Sequence, residues 1–142
     1  PSTHKKYAIK LKEMSCSVGP KVKFLGDLSD EELRETYQQA DIFALSSVPK
    51  SNSVEGFGFV YLEASAHGLP ILAHRTGGVK DAVLDGKTGL FADPKNPNDL
   101  VEKLEQLLSE PGLRETLGEN GRKWAAQHDW QKTADLLYEP AA

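Results

Sequence analysis

A single cysteine, Cys16, stands in 142 residues, so the chain can form no internal disulfide and a cysteine-based zinc site is disfavoured. That composition fits a reducing, cytoplasmic compartment. Four histidines are present, but none falls into metal-ligand spacing, and no metal is expected. Long apolar runs are also missing. The longest apolar stretch without a charge runs from about Phe57 to Leu62, far short of the roughly 20 residues a membrane span needs. The opening Pro-Ser-Thr-His-Lys-Lys lacks the apolar core of a signal peptide. Excess positive charge is absent too. With 17 basic against 21 acidic residues the net charge is -4, which argues against a nucleic-acid partner. Lys5, Lys6, Lys10 and Lys12 read as a solvated helix face.

What remains is the length and mixture of one ordinary domain, 39% hydrophobic and 27% charged, able to bury a single core. Tyr7, Ile9, Leu11 and Met14 suggest an opening helix that ends near Val18-Gly19-Pro20. Val22-Lys-Phe-Leu-Gly26 alternates and reads as a strand. Ser29 followed by Glu32 forms a capping box, predicting a helix to about Ala40. Asp41 to Leu45 is the next strand, continuously apolar and expected to be buried on both faces. Ser46 to Val54 is a polar loop, and a buried helix is expected from about Gly58 to His67.

Pro70 to Ala73 is a third strand, Val79 to Val83 a short helix, and Leu90 to Ala92 a fourth strand after the Asp85-Gly-Lys-Thr-Gly89 turn. Asn98 is expected to cap an amphipathic helix carrying Leu100, Val101, Leu104, Leu107 and Leu108. Helices over 112–127 and 131–138 close the chain. Strands alternating with helices, without a hairpin signal, predict an α/β fold: a doubly wound, Rossmann-like parallel sheet with right-handed crossovers. The chain opens on a helix rather than a strand, so the domain is expected to lack its first strand.

In such a sheet, ligands sit beyond the carboxyl ends of the strands. Three segments fall there: the loop after Gly26, residues 46–58, and His74 to Gly78. Gly56-Phe57-Gly58 leads straight into a helix, where free N–H groups and the positive helix end offer an anion site. Glycine before a helix is a weak signal alone. Glu63 lies in an otherwise apolar helix, where an unpaired charge is costly, so it either reaches a pocket and accepts hydroxyl groups or sits on the exposed helix face. Residues alone leave those two readings level.

Glu55-Gly-Phe-Gly-Phe-Val-Tyr-Leu-Glu63 resembles the E-x7-E motif of the group 1 (family 4) glycosyltransferases. Asp41-Ile-Phe-Ala-Leu-Ser-Ser47 before it, and Thr76-Gly-Gly78 and Asp85-Gly-Lys-Thr-Gly89 after it, match in the same order, as does Val22 to Leu33 upstream. The resemblance spans nearly the whole chain. It implies that residues 1–142 are the C-terminal, donor-binding half of a GT-B enzyme, with the N-terminal acceptor domain absent. It also implies hexosyl transfer from a nucleotide-diphosphate sugar, such as UDP-glucose or GDP-mannose, with retention and without a metal or other cofactor. By position, Glu55 meets the donor sugar as the catalytic-site acid and Glu63 the ribose. The amides of Phe57 and Gly58, with Gly56, meet the sugar and diphosphate, and the Leu25 to Leu28 segment, including Gly26 and Leu28, meets the base.

The sequence also departs from the family. Val79-Lys-Asp81 lacks the usual proline and places aspartate where the family has an acid after Gly-Gly-x-Pro. The basic pair that clamps the diphosphate in the family has no counterpart here, and is expected upstream of residue 1. Ala66-His-Gly-Leu-Pro70 and Asp93-Pro94 are also similar to sucrose-phosphate synthase-like and sucrose synthase-like enzymes. A non-catalytic nucleotide-sugar-binding module is the alternative from another class. A cytoplasmic location is expected, with peripheral membrane association of the full-length protein left open. His67 reads as a residue interacting with its helix's C-terminal dipole, His74 as structural, Lys50 as solvated, and Trp124 and Trp130 as packing anchors.

Overall fold

The computed structural model describes residues 2–18, 21–47 and 58–128. The chain divides into two compact units, residues 1–33 and 34–142.

In the first unit, helix α1 (Ser2–Cys16) ends where sequence predicts, with Ser15 and Ser17 hydroxyls donating to the Lys12 and Met14 carbonyls of its last turn. Lys12 reaches over the Phe24 ring, 5.9 Å from its centre. The strand expected over Val22–Gly26 is not formed. This segment is extended but joins no ladder among the described residues, and Val22, Phe24 and Leu25 are about half exposed. An alternating pattern makes a strand only where a neighbour takes its hydrogen bonds, and apolar side chains alone do not supply one. Helix α2 (Asp30–Gln39) follows the expected capping box. The Ser29 backbone N–H and hydroxyl both donate to the Glu32 carboxylate at 2.8 Å, which holds that carboxyl below its ordinary range.

The second unit is built on three parallel strands, β1 (Phe43–Leu45), β2 (Ile71–His74) and β3 (Gly89–Ala92), in that spatial order. Helix α3 (Phe59–Ala66) crosses from β1 to β2 and α4 (Val79–Ala82) from β2 to β3. Helices α5 (Pro97–Ser109) and α6 (Pro111–Ala125) follow β3. The helix expected over 131–138 lies outside the described residues.

Alternation along the strands separates two cores. Ile71, Ala73 and Phe91 face Tyr61, Leu62 and Ala64 of α3 and Val79 and Ala82 of α4, with Phe43 and Trp124 at the margin. Leu72 and Ala92 face Leu107 of α5 and Leu117 of α6. All four residues of β2 are buried, as a central parallel strand requires. β1 corrects the expectation of burial on both faces. It pairs on one side only among the described residues, and its Leu45 is 38% exposed. Its apolar run suits a two-faced strand, but an edge position leaves part of it open.

The cap of α5 also differs from expectation. Asn96, not Asn98, accepts the Asn98 N–H, because Pro97 occupies the first helical turn and needs no donor partner there. On α5 Leu107 is buried, while Val101 and Leu108 are exposed. Basic side chains close two helices: Arg114 donates to the Leu107 and Leu108 carbonyls, and Arg122 to that of His67.

Candidate functional site

β1 and β2 end toward the same edge, and α3 begins there. Gly58 caps α3 in the left-handed region, φ +75°, which favours glycine. A Cβ on Gly58 would lie 2.6 Å from the Tyr61 ring, so conformation and contact both exclude a side chain. Tyr61 is fully buried. Its hydroxyl donates to the Leu45 carbonyl at 3.0 Å, and its ring meets Phe43 edge-on. The helix start is thereby fixed to the end of β1. Sequence reasoning passed over Tyr61 because the flanking acids carry the motif, although an aromatic with a polar tip in an apolar helix is the signal for such an anchor.

Glu63 lies in the second turn of α3 and is exposed. Phe59, Leu62, Glu63, Ala66, Ala125 and His128 line an open groove of about 460 Å³. The carboxylate is thus on the open face of the helix and also borders a concavity. Tyr37, stacked on His67 at 5.1 Å, has its hydroxyl pushed above the ordinary tyrosine range, first by burial and then by the Glu63 charge. His67 is the C-cap residue of α3, as expected at that helix's end.

At the end of β2, His74 and Thr76 are buried and both approach the Ser47 carbonyl, at 3.3 and 3.5 Å. Arg75, between them, holds its guanidinium 5.4 Å from the centre of the Phe91 ring. Trp124 is the packing anchor expected of it, and its indole N–H donates to the Ala82 carbonyl. Asp85 in the turn before β3 accepts the Phe91 N–H, and the Thr88 hydroxyl accepts that of Leu84.

Of the sequence-derived site residues, Gly58 and Glu63 are brought onto one short helix. Glu55, Gly56 and Phe57 lie outside the described residues, as do Lys50 and Trp130. Gly26, with φ +71°, and half-buried Leu28 belong to the first unit. Among the described residues no group of three His, Cys, Asp or Glu side chains is placed to hold a metal ion. No helix among them is long and apolar enough to cross a membrane.

A parallel sheet with helices on both faces, and a glycine-started helix at its carboxyl edge, is the arrangement of a Rossmann-like domain. Residues 3–124 match the family model of the group 1 glycosyl transferases, and the chain belongs to that family, as the C-terminal domain of a GT-B fold. It is 42% identical over 118 residues to D-inositol 3-phosphate glycosyltransferase of Corynebacterium urealyticum, covering 83% of this chain and 27% of the relative. It is 37% identical over 129 residues to a GDP-mannose-dependent alpha-(1-6)-phosphatidylinositol monomannoside mannosyltransferase of Mycolicibacterium smegmatis, covering 88% and 34%. Sucrose-phosphate synthase of Thermosynechococcus elongatus superposes with a TM-score of 0.80 at 29% identity, covering 94% of this chain and 33% of that one. The chain spans about a third of the length of these relatives.

Proposed function

We propose that this chain supplies the donor site of a retaining hexosyltransferase that uses a nucleotide-diphosphate sugar, and that an N-terminal acceptor domain completes the enzyme. The observation that carries the reading is the Gly58 start of α3, held to the end of β1 by Tyr61 with Glu63 one turn beyond. Backbone N–H groups at such a start favour a diphosphate. In this reading the amides of Phe57 and Gly58, with Gly56, meet the sugar and diphosphate. Glu63 accepts two ribose hydroxyls, which a carboxylate can do at once. Glu55 orients the donor sugar, and the Gly26 to Leu28 segment meets the base. Departure of the diphosphate, rather than attack by a protein base, drives the transfer, and no metal takes part. A relative's GDP-mannose dependence supports a nucleotide sugar as donor, with UDP-glucose and GDP-mannose both to be tried. The family's relatives named for inositol phosphate and phosphatidylinositol acceptors do not favour a sucrose-forming reading. The enzyme is proposed to work in the cytoplasm, including at a membrane surface.

Steady-state kinetics of the full-length protein, with donor varied at saturating acceptor, test the assignment. Glu63, holding the ribose, binds ground state and transition state alike, so Glu63→Ala should raise the donor KM and spare kcat. Glu55 acts where geometry changes, so Glu55→Ala should lower kcat. Loss of a charged hydrogen bond costs about 1.5–3 kcal/mol, so roughly ten- to a hundred-fold is expected for each. Exchanged effects reverse the two roles. If neither variant matters, the donor-site reading fails.

A further inference from the structure

We propose that His74, assisted by Thr76, is a positioning residue for the donor site, holding the chain at Ser47 where it leaves β1. The proposal rests on the donor-site reading above. His74 ends β2 at 7% exposure, after Ile71, Leu72 and Ala73. An apolar residue there would continue the core, whereas a buried imidazole is costly unless it is bonded. Its Nδ1 lies 3.3 Å from the Ser47 carbonyl oxygen. A carbonyl has no proton to give, so Nδ1–H donates. The Thr76 hydroxyl donates to the same oxygen at 3.5 Å, and the two lone pairs of one carbonyl accommodate both.

Ser47 lies two residues past the last paired residue of β1, where the ladder no longer takes carbonyls. Leu45, the last strand residue, gives its carbonyl to Tyr61. At the far end of the same connection, Gly58 packs on the Tyr61 ring. The first root of the segment that carries Glu55 in sequence is therefore tied to β2 and α3 by side chains remote in sequence, while the second, Gly58, adjoins the Tyr61 ring three residues on. Ser47 is held across 27 residues and Leu45 across 16. Such bonds fix where a segment starts rather than how stable the core is, since a leucine would serve the core as well.

The test compares variants of the full-length enzyme. His74→Leu should keep its melting temperature and its donor KM within about two-fold, and lose kcat by about ten-fold, the share of catalysis expected from misplaced groups. His74→Asn, whose Nδ2–H₂ can donate where Nδ1–H does, should recover most of kcat. If the leucine variant does not fold, Thr76→Val carries the test, with a loss in kcat of about two- to five-fold for one of two donors. Nitrogen-15 resonances of the His74 ring should show the Nδ1–H tautomer in the chain itself. An Nε2–H tautomer, wild-type kcat in His74→Leu or Thr76→Val, or an asparagine variant as slow as the leucine variant overturns the proposal. Glu55→Ala separates the two failures. If Glu55→Ala is slow while His74→Leu is not, only the positioning role falls. Wild-type kcat in Glu55→Ala removes this proposal, and the donor-site reading falls with it only if Glu63→Ala is without effect too.

Discussion

Single glycines carry the most demanding geometry in this chain, and two of them make opposite experiments. Gly58 stands in the left-handed region with the Tyr61 ring 2.6 Å from any added Cβ, while that ring is tied through its hydroxyl to Leu45. Gly58→Ala combines backbone strain of about 1–2 kcal/mol with the displacement of a buried ring. Thermal unfolding should show a loss of at least that size, and an unchanged midpoint would mean that the helix start is not held as described. Gly112 has open space around it in the first turn of α6. Gly112→Ala should gain about 0.4–1 kcal/mol through the unfolded chain alone. A helix start at Gly58 was legible from the sequence. That Tyr61 packs against that start was not, because a contact between a cap and its own helix's buried face depends on where β1 ends.

Between elements, α6 packs closely on α3 and the turn that follows it. A Cβ on Gly118 would strike the Gly68 backbone carbonyl, and Gly121 has the Ser65 Cβ at 3.4 Å. In an isolated helix Gly→Ala stabilises by about 1 kcal/mol, but here a backbone atom cannot rotate away. Gly118→Ala should therefore destabilise, by about 1–3 kcal/mol for an overpacked site, with urea unfolding as the measure. A stabilised variant would show that the helices are further apart. A second element-scale test uses pH. Glu32 is held below its ordinary value of 4.5, first by the Ser29 backbone N–H and then by the Ser29 hydroxyl. A carboxyl lowered on folding contributes stability that is full above its unfolded value and lost as pH falls through the folded one. Glu32→Gln should thus destabilise at neutral pH and flatten the fall of the melting temperature below about pH 4.5, whereas parallel curves would remove the cap from the account.

Elements were legible where they carry their own evidence. The Ser29 to Glu32 box and the buried run Ile71 to Ala73 each declare a helix or strand locally. Val22 to Gly26 declares only a pattern, and β1 an apolar run. Whether such a run is paired, or buried on two faces, depends on neighbours that periodicity does not contain. The site divides in the same way. Acids at a fixed spacing can be read from sequence, whereas the buried polar side chains that hold their scaffold, Tyr61 and His74, are recognised only once β1, β2 and α3 meet.

At the scale of the whole molecule, the chain spans 27% and 34% of two relatives named for transfer reactions. On the donor-site reading it holds the sugar- and ribose-facing groups, while the acceptor site and the basic clamp on the diphosphate are proposed to be supplied elsewhere in the full-length protein. Bringing two substrates together supplies a large part of the rate in a group transfer. The isolated chain should therefore show no sugar transfer above a no-enzyme control across a panel of donors and acceptors. Binding should survive in weakened form. The α3 start and Glu63 remain, but without the clamp a nucleotide diphosphate should bind no tighter than roughly millimolar, about -4 kcal/mol. Calorimetry with UDP and GDP measures this directly. Submicromolar binding would place the main diphosphate contacts inside this chain, and Arg75 at the end of β2 would then be the first cation to replace.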